Sequence, residues 1–318
     1  MPHAVVAAQY GTTADVIDVI TVDGRAPGPG EVTIAVRAAA LNPFDTKIAA
    51  GALGTDASKL PRRLGSEASG VITAVGADAI GLEGALLAVG DEVFGHRLSG
   101  AQASELTVRA DALLHKPASL SFEEAAGLLS VGTTAVHALE SVGVGPGDTV
   151  LVHGVAGSVG DLVAQLAILR GATVIGTAAP ARHAALRDAG IEPVAYGVGL
   201  AERIRAVAPN GVTAAIDTVG TDEALSTSLE FVEPARFVTI VNFAPALAAG
   251  GKAIGGGAGA DPGSDIRAAA RVTLAGLAAG GEIRMPVAAS LPLTRAREAY
   301  ELVIGGHAGG KVVLTPAH

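Results

Sequence analysis

The segment His153–Leu162, HGVAGSVGDL, sets Gly154, Ala156, Gly157 and Gly160 within seven positions. Glycine loses more backbone freedom on folding than any other residue, so such a cluster needs a physical reason. Its flanks supply one. The apolar, β-branched run Thr149-Val150-Leu151-Val152 suits a buried strand, and Val159, Val163 and Leu166 recur at helical spacing as far as Gly171, placed as a stop. A strand, a tight glycine turn and a helix together make a cradle for a pyrophosphate: backbone N–H groups of Gly154, Ala156, Gly157, Ser158, Val159 and Gly160 face the anion at the positive end of the helix. Ser158 and Asp161 fit an N-cap pair. An NAD site also needs an acid about 20 residues on, at the end of the second strand, to bind the ribose hydroxyls. Here ATVIGTAAPARH carries Thr177, Ala178 and Ala179 at that point, with no acid before Asp188, and Arg182 follows within reach of a ribose phosphate. The missing acid and the Arg favour NADPH.

Bulk composition bounds the rest. The chain has 318 residues, enough for two domains, and 49% are hydrophobic. Aromatics are 3%, so the core is built from Val, Leu, Ile and Ala. There is no Cys, which excludes disulfides, thiolate chemistry and Cys-ligated zinc. His96, His137 and His153 show no ligand-pair spacing, so no metal site is expected. A net charge of −9 without a basic cluster argues against nucleic acid. The longest charge-free apolar stretches, 125–139 and 237–251, are shorter than the ~20 residues a membrane span needs. The opening MPHAVVAAQYGT lacks a basic region followed by an apolar run, and the expected location is the cytoplasm.

The elements that must position the glycine turn are legible by period. Short strands and turns fill the first hundred residues, among them EVTIAVRAAAL, SGVITAVG, DEVFGH and SELTVRADALLHKP, which suggests a compact antiparallel barrel. Around Ser121 a helical pattern begins, with Ser121 and Glu124 as a capping box. From Thr149 strands (TVLVHG, ATVIGTA, TAAIDTV, RFVTIV) alternate with helices, the signature of a parallel sheet with right-handed crossovers. Gly250–Asp265 is a loose glycine-rich connection, followed by two helices and a final strand, KVVLTP. The fold class is α/β: a doubly wound parallel sheet domain plus a mostly antiparallel β domain.

Six segments in order, ALNPFDTK, LGSEASGVITAVG, GDEVFGH, the HGVAGSVG turn, AIDTVG and HAGGKVVLTP, resemble the zinc-independent quinone oxidoreductases of the medium-chain dehydrogenase/reductase superfamily. The resemblance covers nearly the whole length. It implies a GroES-like catalytic domain from both chain ends (1–120 and 262–318), a Rossmann domain between them (121–261) and a cofactor in the cleft. Metal-dependent relatives use an early Cys and a Gly-His-Glu segment to hold zinc, where this chain has Gly65-Ser66-Glu67 and no Cys. The resemblance adds Asn42, Tyr196 and Lys311 as cofactor contacts and places Thr133, Val219 and Ile240 beside the nicotinamide. Asn42 is expected as an orienting amide and Lys47 as an oxyanion stabiliser, against a reading of Lys47 as a surface charge. The implied reaction is hydride transfer from NADPH to a quinone or α,β-unsaturated carbonyl. The alternatives are an enoyl-thioester reductase and a non-catalytic NADPH-binding sensor or structural protein. A sixth strand near Lys252–Gly256, poor in blocking charge, is expected to pair with its symmetry mate in a homodimer.

Overall fold

In the computed structural model, which describes residues 1–306 and 308–316, the apolar N-terminal runs form β1 (His3–Ala7) and β2 (Ile17–Thr21), an antiparallel pair. There follow β3 (Glu31–Leu41), α1 (Pro43–Ala49), β4 (Arg62–Arg63), β5 (Glu67–Val75), β6 (Glu92–His96), β7 (Glu105–Arg109), β8 (Leu113–His115) and α2 (Phe122–Ser141). Next come β9 (Thr149–His153), α3 (Ser158–Leu169), β10 (Thr173–Thr177), α4 (His183–Asp188), β11 (Glu192–Val194), α5 (Leu200–Val207), β12 (Ala214–Asp217), α6 (Asp222–Phe231), β13 (Phe237–Thr239), α7 (Phe243–Ala248) and β14 (Lys252–Ala253). The chain ends with α8 (Ser264–Ala279), β15 (Val287–Pro292), α9 (Ala296–Ile304) and β16 (Lys311–Thr315). His307, the first residue of the HAGG segment, lies outside the described residues.

The chain divides into two units, Met1–Ser130 with Val272–His318, and Val131–Arg271. The boundaries fall inside α2 and α8 rather than before them. In the first unit β16 adds antiparallel to β3, with Val312 opposite Leu41, and so brings the C-terminal strand into the sheet begun by the N-terminal half. That sheet is antiparallel apart from the β15–β16 pair. One cluster of buried side chains, including Val5, Leu64, Leu293, Tyr300 and Leu314, packs α9 against β1 and β16. A second, around Ile34, Ile72, Val93 and Leu113, fills the sheet's interior. The expected capping box at α2 forms, with Glu124 N–H donating to Ser121 Oγ at 3.1 Å and Ser121 N–H to Glu124 Oε2 at 2.8 Å.

In the second unit six parallel strands take the order β11-β10-β9-β12-β13-β14. This is the doubly wound arrangement in which the chain reverses direction beside the first strand, β9, so that a crevice opens at the carboxyl ends. The core is Leu151, Ile175, Ile204, Ala215 and Phe237 with their neighbours. The short β11 and α7 escape a period count, because three to six residues carry too little pattern. The sixth strand is shorter than expected. Ile254, within the expected edge segment, is 1% exposed and spends its N–H within the sheet, on Thr239 O at 3.1 Å. Ile254→Pro would therefore damage the fold itself rather than test an intermolecular edge.

On the first unit's rim, His115 at the end of β8 is held between two carboxylates. Nδ1 faces Glu83, Nε2 lies 3.3 Å from Asp91, and the His115 N–H donates to Glu83 Oε1 at 3.0 Å. Partial burial opposes the charged ring, but the hydrogen bonds to Glu83 and Asp91 outweigh it and raise the pKa above its ordinary 6.5. A raised histidine pKa stabilises the fold fully below the unfolded-state value, and that stability fades as pH rises through the folded-state value. His115→Gln should therefore melt lower than wild type at about pH 5.5, and the gap should narrow toward about pH 8.5; thermal melts across that range check it.

Candidate functional site

The glycine turn forms at the carboxyl end of β9. Gly154 has φ +76°, a conformation that β-carbon sterics discourage, and its N–H donates to Thr177 Oγ1 at 3.0 Å. Gly160 is forced by contact: a Cβ there would lie 2.3 Å from Gly154 O. Gly157 differs. It is the N-cap of α3, no side chain caps it, and a Cβ on it would meet only Gly154 O at 3.3 Å. So two glycines close the turn and the third leaves its outer face clear, with the amides of α3's first turn behind it. Ser158 is thus the first helical residue, not the cap, and Asp161 is drawn along the helix to Gln165, whose Nε2 donates to it at 2.5 Å.

The neighbouring strand ends brace this turn. Asp217, fully buried at the end of β12, accepts N–H bonds from Val219 and Gly220 on Oδ1 and the Thr239 hydroxyl on Oδ2. The Thr218 hydroxyl donates to His153 O at 2.7 Å. The AIDTVG segment is thereby pressed onto the glycine turn; a Cβ on Gly154 would come 2.4 Å from the Val219 side chain. His153 donates from Nε2 to Ser228 Oγ (3.0 Å), because Ser228 spends its own proton on Ala224 O (2.7 Å). Burial pushes the His153 pKa down to about 4, so the ring is neutral and ties β9 to α6.

The sequence-selected residues of this unit divide by exposure. Thr177 is buried, and its oxygen serves Gly154, so it builds the turn. Thr133 is buried on α2, and Ile240, half-buried, donates its N–H to Asp217 O. Val219 and Tyr196 are exposed. Arg203 fixes the loop that carries Tyr196 through bonds to Ala195 O, Gly197 O and Val198 O, with Glu223 accepting Gly197 N–H. Arg182 is exposed at the end of a 3₁₀ turn (Pro180–Arg182) just beyond β10.

The first unit holds a buried polar group of a different kind. Lys311, at the start of β16, donates to Glu67 Oε1 and to Asn42 Oδ1, both at 2.6 Å. Asn42 Nδ2 donates to the same Glu67 oxygen at 2.9 Å, and Ser130 N–H donates to Glu67 Oε2 at 3.0 Å. Glu67 is fully buried and Lys311 2% exposed. Burial alone would raise the Glu67 pKa, but the Lys311 charge, then that of His96, and the hydrogen bonds hold it below its ordinary value. Behind Asn42 lies Asp45, also fully buried, whose Oδ2 accepts Asn42 N–H at 2.8 Å. The Tyr300 hydroxyl donates to Gln102 Oε1 at 2.8 Å. Asn42 and Lys311 thus meet. Lys47 is exposed on α1, away from this group of hydrogen bonds. Glu67, met in the sequence only where metal-dependent relatives place a zinc segment, and Asp45, on the same short segment as Asn42, were given no role of their own.

Comparison with known proteins places this geometry. Residues 28–139 match the alcohol dehydrogenase GroES-like domain, and 192–314 match a family described as zinc-binding dehydrogenase. The Escherichia coli quinone oxidoreductase complexed with NADPH superposes with a TM-score of 0.83 at 25% identity, over 99% of this chain and all of that one. The chain belongs to the quinone oxidoreductase-like family of the medium-chain dehydrogenase/reductase superfamily. The CurK enoyl reductase is similar to the same extent, with a TM-score of 0.83 and 25% identity over 99% of each chain. The human synaptic vesicle membrane protein VAT-1 homolog is 36% identical over 199 residues, 61% of this chain and 49% of that protein. The chain spans about half the length of such curated relatives. No helix among the described residues is long and apolar enough to cross a membrane.

The residues present do not fit the zinc in that family description. There is no Cys, and among the described residues no group of three or more His, Asp or Glu could hold a metal ion. Glu67 already has both oxygens engaged, and the cation beside it is Lys311. Breaking a buried ion pair by removing one partner costs about 3–5 kcal/mol, whereas removing both charges costs far less. Lys311→Met should lose stability of that order in denaturant unfolding, and adding Glu67→Gln should restore part of it.

Proposed function

We propose that this chain is an NADPH-dependent reductase that delivers a hydride to a quinone or α,β-unsaturated carbonyl without a catalytic metal. The observation that carries the reading is the clear outer face of Gly157 at the start of α3, in a sheet whose second strand ends without an acid and is followed by Arg182. In this assignment Gly154, Ala156, Gly157, Ser158, Val159 and Gly160 hold the pyrophosphate. Arg182 takes the ribose 2′-phosphate, with Thr177 shaping the turn, and Tyr196 adds a contact on its braced loop. Thr133, Val219 and Ile240 line the nicotinamide, which supplies the hydride when bound. Asn42 and Lys311 orient the reacting end and offset negative charge developing on the acceptor oxygen. Lys311 takes the role first considered for Lys47, because its ammonium is fixed at two points out of water. The enoyl-thioester reading keeps a place through the likeness to CurK. A homodimer through the β14 edge and a cytoplasmic location complete the proposal.

Fluorescence titration should give NADPH at least about tenfold tighter binding than NADH, roughly 1.4 kcal/mol, and Arg182→Ala should erase most of that preference. Gly157→Val should fold and lose NADPH affinity, since its added methyls project where the phosphates must approach. Steady-state NADPH oxidation with quinones, enones and an enoyl thioester then identifies the acceptor class. Equal affinity for the two cofactors would refute the NADPH assignment, and absence of turnover with every acceptor would leave the sensor reading.

A further inference from the structure

The Glu67–Lys311 pair is balanced in charge: one ammonium, one carboxylate, and every Glu67 oxygen served. Asp45 is a second carboxyl group in the same buried region, with no cation of its own. Its two oxygens are unequal. Oδ2 accepts Asn42 N–H at 2.8 Å, while Oδ1 is buried and no donor reaches it. An ionised carboxylate spreads its charge over both oxygens and requires donors at each; a bare one out of water is costly. A neutral acid with its proton on Oδ1 leaves only a hydroxyl unmatched. The groups facing Asp45 decide between these states. Lys311 from β16 favours the anion and Glu67 from β5 opposes it. On α9, Tyr300 is neutral, its own pKa pushed up first by burial and then by Asp45. His96 on β6 faces Glu67. The Gly65 backbone also favours the anion, but no donor stands within hydrogen-bond distance of Oδ1.

We propose that Asp45 is a positioning residue, held as the neutral acid while the enzyme works, whose ionisation disables the Asn42–Glu67–Lys311 group. The step is a simple proton loss to solvent; no other bond changes. It places a second buried negative charge beside a single ammonium. Lys311 is then shared between two carboxylates, and the Asn42 backbone, bonded to Asp45 Oδ2, is pulled more strongly toward α1. Burial, first among the causes, raises the Asp45 pKa to about 7, so the change falls within the ordinary working range. The consequence for catalysis rests on the proposed roles of Asn42 and Lys311, whereas the protonation state of Asp45 does not.

The test separates the two. Isotope-edited infrared spectra with labelled aspartate should show a protonated carboxylic acid at about pH 6 that is lost by about pH 8.5 and absent from Asp45→Asn. Because the folded-state pKa lies above the unfolded-state value, wild-type stability should fall relative to Asp45→Asn between about pH 4 and pH 7 and then run parallel. Single-turnover hydride transfer from NADPH should slow about tenfold in wild type from pH 6 to pH 8.5 and by less than about twofold in Asp45→Asn. An infrared band missing at pH 6 overturns the proposal outright. So does an unchanged pH profile in Asp45→Asn, or one abolished instead by His96→Gln. A band present as expected in a protein that neither binds NADPH nor turns over would leave Asp45 neutral but refute the proposed function.

Discussion

An ammonium and a carboxylate 2.6 Å apart, both out of water, set the terms for the first unit. Taking two such ions from water costs several kcal/mol each, and their attraction repays this only when the remaining lone pairs and protons are also matched. The matching groups come from four places: Glu67 on β5, Lys311 on β16, Asn42 at the start of α1 and the Ser130 amide within α2. The pair therefore requires the C-terminal strand to lie beside β3 in one register, with Val312 opposite Leu41. A shift by one residue would turn Lys311 to the other face and leave Glu67 buried without its ammonium. The discontinuity of this unit in sequence follows: the strand that carries the ammonium bound to a buried acid must return to the sheet that holds the acid.

The second unit solves its polar problem differently. At the carboxyl ends of β9, β12 and β13 the described residues form no ion pair. Asp217 is satisfied by two amides and a hydroxyl, and His153 stays neutral against Ser228. The charge of Asp217 is spent on backbone donors, and this stiffens the segment that presses on the glycine turn. With Gly154 and Gly160 in contact with the chain around them and Gly157 clear, the turn is braced by its own surroundings. A cradle already ordered loses little conformational entropy when an anion enters.

What the sequence disclosed and what it withheld follow the same physics. Period and punctuation are local, so the alternation of β9 to β13 with their helices, the Gly171 stop and the Ser121 box could be read directly. The glycine turn was equally legible, because its purpose is local too. Glu67 was not, since its partners lie 25 and 244 positions away and nothing near it hints at a counter-ion. For the same reason the sequence puts Lys47 beside Asn42, whereas the fold brings Lys311 to Asn42 across 269 positions. Asp45 closes a capping box with Asn42 at the start of α1; its burial, and the bare oxygen it carries, come from packing that no spacing announces.

The kind of cation at this centre also bears on what the proposed reductase could reduce. A divalent metal offers an open coordination position and draws electron density from a bound carbonyl, enough to stabilise an isolated alkoxide. An ammonium bound to a carboxylate and an amide offers one remaining proton and a charge already half compensated. Such a group can orient an acceptor oxygen and accept part of a developing charge, but it is a weak electrophile. Hydride transfer then suits acceptors that disperse the incoming negative charge over their own bonds. Quinones and enones do this through conjugation; simple ketones do not. The preference for conjugated acceptors in the proposed function thus follows from Lys311 paired with Glu67, with no group of metal-holding side chains among the described residues.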